Sequence, residues 1–237
     1  MKLVWSKQGM RVLMAGVLVL AGVGSMGAQT KDQPTRKPVK RAHRETNASR
    51  EARIQRTIAE TYAHRWEVFG GGGYLRFRSG ENTQKNNEVS WAVEASRYLN
   101  PKFAIVGDVR GSFGNANAQR PYLYPQITKP QINEYTFMGG ANYRFYGKEK
   151  LALSATGLAG MGWGLFSGGS KSIPSTALGI WPDGWRPAFS ANLNADYNFY
   201  PNLAFRVQPT YVMTNFGSKV QNNVGFNLGV IYRFGKQ

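Results

Sequence analysis

Residues 189–199 read Phe-Ser-Ala-Asn-Leu-Asn-Ala-Asp-Tyr-Asn-Phe. Phe189, Ala191, Leu193, Ala195, Tyr197 and Phe199 alternate with Ser190, Asn192, Asn194, Asp196 and Asn198. A period of two places the apolar set and the small polar set on opposite faces of one β-strand. Strands of soluble domains centre on about five or six residues. A tilted strand that crosses a bilayer needs about nine to eleven, which is the length seen here.

The same alternation extends in both directions. Towards the C-terminus, Leu203, Phe205, Val207, Pro209, Tyr211 and Met213 oppose Arg206, Gln208, Thr210 and Thr214. Val224, Phe226, Leu228, Val230, Tyr232 and Phe234 then oppose Asn223, Asn227 and Arg233. Towards the N-terminus, the rule recurs in 151–165, 134–145, 103–110 and 87–97, and residues 66–78 make a further strand, for eight in all. Connections alternate in length. Tight turns at Asn100-Pro101, Gly147–Lys150 and Tyr200–Asn202 interleave with polar or Gly/Pro-rich loops, notably 115–131 and 167–187. Long alternating strands joined in this way describe an all-β, eight-stranded, antiparallel up-and-down transmembrane barrel, the apolar parity facing lipid and the polar parity facing the lumen. A soluble lipocalin-like barrel would turn its apolar parity inward, and would have no need of aromatics clustered at the turns.

Such clusters are present. Tyr98, Tyr143, Phe145, Tyr197, Phe199, Tyr232 and Phe234 recur at the ends of alternate strands and are expected to form an aromatic girdle at one membrane interface. The chain has 28 glycines and 13% aromatic residues. A soluble domain would lose much backbone entropy on ordering so many glycines, whereas a barrel uses them where strands bend or crowd. The run Gly70–Gly73 is read in this second way, because the Lys-Ser/Thr of a phosphate loop does not follow it.

Residues 66–234 resemble the small bacterial outer-membrane β-barrels, the OmpA/OmpX-like eight-stranded type. The closing segment Val224–Phe234 is similar to the aromatic-ended strand that such proteins present to the barrel-assembly machinery, although Gly235-Lys236-Gln237 follow the last aromatic. The resemblance implies the outer membrane as location and membrane lipid, including lipopolysaccharide, as surroundings. It carries no catalytic motif, and a lipid-modifying enzyme is the least favoured reading, since barrel enzymes of this architecture place a histidine on the barrel.

The N-terminal 65 residues break the pattern. Lys2, Lys7 and Arg11 precede the apolar run 12–23 and the small residues Ser25–Ala28, the layout of a signal peptide over residues 1–28. The run is too short for a membrane anchor. Residues 29–65 are a basic linker expected in the periplasm, with Pro34 and Pro38 followed by a short surface helix carrying Ile54, Ile58 and Tyr62 at helical spacing. Of the net charge of +17, about +3 lies in the signal, about +6 in the linker and about +8 in residues 66–237. The basic linker suits anionic envelope polymers such as peptidoglycan. A nucleic-acid partner does not suit an exported chain.

Chemistry-bearing constellations are few. The chain has no cysteine, which excludes disulfides, thiolate catalysis and a lipidated cysteine anchor. Its two histidines, His43 and His64, precede the first expected strand, so no histidine-based catalysis or metal site is expected in the barrel, and no cofactor. On the polar parity lie Arg76, Glu94, Asp108, Arg110, Glu134, Arg144, Asp196, Arg206 and Arg233. An eight-stranded bore is just wide enough for side chains to fill, so these are expected to neutralise one another as a lumen ion-pair cluster. The alternative is the lining of a narrow pore for ions or small solutes. Tyr122, Tyr124, Trp181 and Trp185 lie in long loops, where they form either a recognition surface or the packing of the loops. The favoured function is a structural or interaction role, with external loops contacting lipopolysaccharide or a partner. Because residues 29–65 supply no expected strand, their deletion should leave the heat-modifiable gel mobility of a folded barrel intact; a truncated chain that never folds would show that the helix belongs to the barrel.

Overall fold

The computed structural model describes residues 46–236 apart from 82, 117–126, 128, 169–172 and 218. A helix, α1 (Asn47–Tyr62), precedes eight strands: β1 (His64–Arg78), β2 (Lys85–Tyr98), β3 (Phe103–Asn115), β4 (Gln131–Gly147), β5 (Leu151–Gly168), β6 (Gly184–Tyr200), β7 (Leu203–Thr214) and β8 (Gln221–Lys236). Each strand pairs antiparallel with the next, and β8 returns to β1, closing the barrel. Closure matters because lipid offers no partner to an unpaired backbone N–H or C=O. The expected eight strands and up-and-down order are therefore the observed ones. β1 begins at His64, so this histidine opens the strand instead of preceding it.

Alternation decides facing. Along β6, Phe189, Leu193, Tyr197 and Phe199 are exposed outward, whereas Ser190, Asn192, Asn194 and Asp196 are buried in the lumen. Aromatic rings gather at both ends of the outer surface. At the turn end, Trp66 stacks on Phe234 and Tyr232 on Phe234, and Tyr197 meets Phe199 edge-on. At the loop end, Phe113, Tyr135, Trp163 and Trp185 form a ladder across four strands with ring centroids 5.7–6.0 Å apart. On β6, Trp185 and Tyr197 are twelve residues apart. At about 3.4 Å per residue and a tilt near 45°, that is about 29 Å along the barrel axis, close to the ~30 Å hydrocarbon core.

Two expected positions are corrected here. Tyr98 is 2% exposed and points into the lumen, so it is not part of the outer girdle. Its parity is that of Glu94 and Ser96, while Arg97 takes the outward place over the Trp66 ring. Trp185 is not a loop residue but a lipid-facing rung of the upper ladder, stacked on Trp163.

Inside, glycines make room as expected of them. Phe69 is 1% exposed, and a Cβ on Gly71 or Gly229 would come within 2.7 Å of its ring. The loop-end mouth is filled by an apolar plug of Phe77, Ile132, Phe166, Leu178, Trp181 and Phe216. Trp181 is thereby a buried packing residue and not an exposed recognition aromatic; its Nε1–H donates to the Arg78 carbonyl at 2.7 Å. Gly217, at φ +78°, both adopts the left-handed turn and leaves space for that indole, since a Cβ there would lie 2.4 Å from it. Tyr122 and Tyr124 lie outside the described residues.

At the opposite mouth, α1 is capped by Thr46, whose Oγ1 accepts from the Ser49 N–H. Its last residue, Tyr62, is buried against the barrel: the hydroxyl donates to the Lys148 carbonyl at 2.7 Å, and the Arg144 guanidinium stacks 4.7 Å from the ring. The C-terminal turn of the helix is thus part of the barrel rim.

The outward facing of β6 can be tested directly. A charge at the bilayer midplane on a lipid face costs about 2–4 kcal/mol, so Leu193→Arg is expected to lower folding stability in vesicles by that amount. Leu193→Phe should be nearly neutral. Equal stabilities for the two variants would contradict the assignment.

Candidate functional site

The barrel's densest chemistry is an ionic network at the turn end of the lumen, built by six strands. Glu67 on β1 accepts from the Arg233 Nε–H on β8 at 2.8 Å and from an Arg144 Nη–H on β4. The Tyr98 hydroxyl donates to the same carboxylate at 3.3 Å. Arg206 on β7 forks onto Asp196 on β6 at 2.7 and 3.0 Å, and donates to Glu94 on β2 at 2.9 Å. Arg233 further donates to Asn198 Oδ1 at 2.8 Å, which ties β8 to β6 across the bore. Gln208 covers the second Glu94 oxygen at 3.1 Å.

Three carboxylates (Glu67, Glu94 and Asp196) thereby meet three guanidiniums (Arg144, Arg206 and Arg233), and the network is neutral. Neutrality is what makes it tolerable, because an isolated buried ion would carry a desolvation penalty of several kcal/mol. Arg206 and Arg233, each 1% exposed, are among the largest fully buried side chains. Above this network Asp108 holds Arg110 in a second fork at 2.8 and 3.1 Å, and Arg110 also donates to Thr210 Oγ1 at 2.6 Å.

Most of the expected lumen cluster is brought together, with two corrections. Arg76 is exposed on the outer face. On β1 the inward places at that level go to Leu75, which lines the small lumen cavity, and to Phe77 of the apolar plug, so the guanidinium is left at the membrane boundary where a long cationic chain reaches water or headgroups. Glu134 is buried in the lumen but, among the described residues, has no arginine partner. Its Oε1 has no hydrogen bond, nor has either carboxylate oxygen of Glu88, which is 0% exposed. Arg110, lining the same small cavity as Glu134, is already engaged by Asp108. The two glutamates therefore form a second class of buried acid, below the plug and outside the neutral network.

Sequence reasoning missed Glu67, the residue on which three guanidiniums converge. A signal existed in its outward-facing neighbours Trp66 and Val68, but Phe69 on the same inward parity obscured it. Among the described residues, no group of three or more His, Asp or Glu could hold a metal ion. His64, at the end of β1, contacts the Thr61 carbonyl through Nδ1 at 3.1 Å.

The two classes of acid should respond oppositely to neutralisation. Arg206→Ala strands Asp196 and Glu94 and is expected to cost about 3–5 kcal/mol of stability in denaturant unfolding. Glu134→Gln removes an unpartnered carboxylate and should leave stability equal or higher; a loss comparable to that of Arg206→Ala would mean that Glu134 has a cationic partner. With the network intact, the unmodified protein is expected to show near-zero conductance in planar bilayers, and a steady, sizeable conductance would make these residues a pore lining.

No protein-family model matches the chain, and no curated protein matches it in sequence. Solved structures do resemble it. Neisserial surface protein A (NspA) superposes with a TM-score of 0.53 at 11% identity, covering 71% of this chain and 97% of that one. OprG from Pseudomonas aeruginosa gives 0.49 at 11% identity over 73% and 98%, and Ail, the attachment invasion locus protein of Yersinia pestis, 0.47 at 15% identity over 72% and 99%. Closed topology, two outward aromatic belts and the NspA superposition agree: the chain has the fold of the small eight-stranded outer-membrane β-barrels.

Proposed function

We propose that the protein is an outer-membrane interaction barrel whose loop-end rim engages the phosphates of lipopolysaccharide. The reading rests on one observation. Arg78 and Lys85 are direct cross-strand partners where β1 meets β2, and both are exposed. Like charges placed opposite one another destabilise a strand pair, and an anion between them reverses that sign. Arg76 stands two residues along the same outward face. Lys219 completes the rim from the β7–β8 connection, held by Glu81 at 2.5 Å.

Arg78, Lys85 and Lys219 line a cleft of about 240 Å³ with Trp181 among its walls. Guanidinium and ammonium groups above the outward Tyr74–Phe226 pair of β1 and β8 suit phosphate at the headgroup level, where arginine offers two parallel donors to its oxygens. In this reading the rim, and not Trp181 or Trp185, is the recognition surface. The filled lumen supports an interaction role over transport. We further propose that residues 1–28 direct export, that the basic linker meets anionic cell-wall polymer, and that β8, the strand closing onto β1, is what the assembly machinery receives.

Binding of purified, folded protein to lipopolysaccharide tests the rim. The double variant Arg78→Glu/Lys85→Glu is expected to weaken binding by at least about tenfold, from roughly fivefold per cation near an anionic surface, and the wild type should discriminate against dephosphorylated lipopolysaccharide. Equal binding by wild type and variant, or of the phosphorylated and dephosphorylated forms, would overturn the proposal.

A further inference from the structure

The turn end carries a groove that the rim's function does not use. Its floor is the junction of α1 with the barrel, and its volume is about 480 Å³, within the range of small-molecule sites. One wall is the helix face of Ile58, Ala59 and Tyr62; the other is Pro101, Lys102 and Phe145. Phe145 is 54% exposed and stands on the outward, lipid-facing parity of β4 beside Tyr143. The groove is therefore open to the lipid-facing surface at Phe145, while the guanidinium of Arg144, from the lumen network, lines it beside Tyr62.

The helix is held in place to make this wall. Tyr62 is fixed by its bond to the Lys148 carbonyl and by contact with Gly147, where a Cβ would lie 3.2 Å from the ring. Asn198 donates to the same hydroxyl at 3.3 Å, and Arg53 reaches Glu149 at 3.9 Å. Ile58, one helical turn before Tyr62, is only partly covered and faces the groove. Lys102 stands among the lining residues, and Lys148 and Lys150 lie exposed on the adjoining β4–β5 turn. An apolar slot open to the hydrocarbon with cations at its edge matches one kind of occupant: an acyl chain bearing an anionic headgroup.

We infer that this groove is a binding site for one anionic phospholipid of the leaflet at the turn end, its chain lying between Ile58 and Phe145 and its phosphate beside Lys102. The site makes α1 a clamp on boundary lipid, distinct from the loop-end rim and independent of lipopolysaccharide binding.

Native mass spectrometry of the full-length protein, extracted from vesicles of phosphatidylethanolamine with one-fifth phosphatidylglycerol, tests the assignment. The wild type should retain one phosphatidylglycerol in preference to phosphatidylethanolamine. Lys102→Glu should reduce that retention about fivefold and Ile58→Asp should reduce retention of both lipids, while Lys129→Glu, exposed at the opposite end and outside the rim, leaves it unchanged. Heat-modifiable mobility reports that each variant is a folded barrel. Retention unchanged in both Lys102→Glu and Ile58→Asp would overturn the site, as would equal loss in Lys129→Glu; retention indifferent to headgroup would overturn its anionic character.

Discussion

Closure of the backbone ladder is the constraint from which the remaining features follow. In hydrocarbon no unpaired N–H or C=O can be satisfied by water, so β8 must pair with β1, and it does so from His64↔Lys236 to Arg76↔Val224. Once the ring is closed, each strand has one face to lipid and one to the bore, and a one-residue slip would exchange them along its whole length. The outer aromatics and the inner polar residues hold the register from both sides.

Eight strands also set how much the bore can contain. The interior is filled in levels: a neutral set of three carboxylates and three guanidiniums near the turns, a polar middle where Asn142 and Asn194 both donate to Ser154 and Thr156, and an aromatic plug at the loop end. The levels obey different rules. The ionic level holds because every charge in it has partners from other strands, which makes it a tie across the bore as much as a filling. Below the plug, Glu88 and Glu134 have no such partners. Burying them unpaired opposes stability, and the packing around them, including Phe77 at 0% exposure, must offset it.

The two ends of the barrel differ in kind. At the loop end the exposed cations belong to strand ends and a short connection, on the side of the barrel where Tyr74 meets Phe226. At the turn end an additional element, α1, is fastened by one tyrosine to a glycine-containing strand terminus. A helix of this composition has only a narrow apolar stripe, and its anchorage comes from its last turn, where Thr61 and Tyr62 are buried, and not from propensity alone.

Much of this was already written in the alternation. Residues such as Phe189–Phe199 can adopt only one facing in a lipid-embedded strand, so strand number, strand order, the lipid-facing set and most lumen residues followed from a period of two and from the spacing of turns. What the sequence could not determine is where two signals compete or where partners come from distant strands. Arg76 looked inward by its polarity, but the inward parity belongs to Leu75 and Phe77, and Phe77 is needed by a plug whose members Phe166 and Phe216 lie on β5 and beyond β7. Tyr98 looked like a girdle residue by its type, yet parity and the Glu67 carboxylate draw it inside. Glu67 itself became visible only when β4, β7 and β8 brought Arg144, Arg206 and Arg233 around it. Periodicity is a property of one strand and can be read along the chain; charge pairing across a closed bore depends on shear and stagger between strands, and these exist only once the barrel has closed.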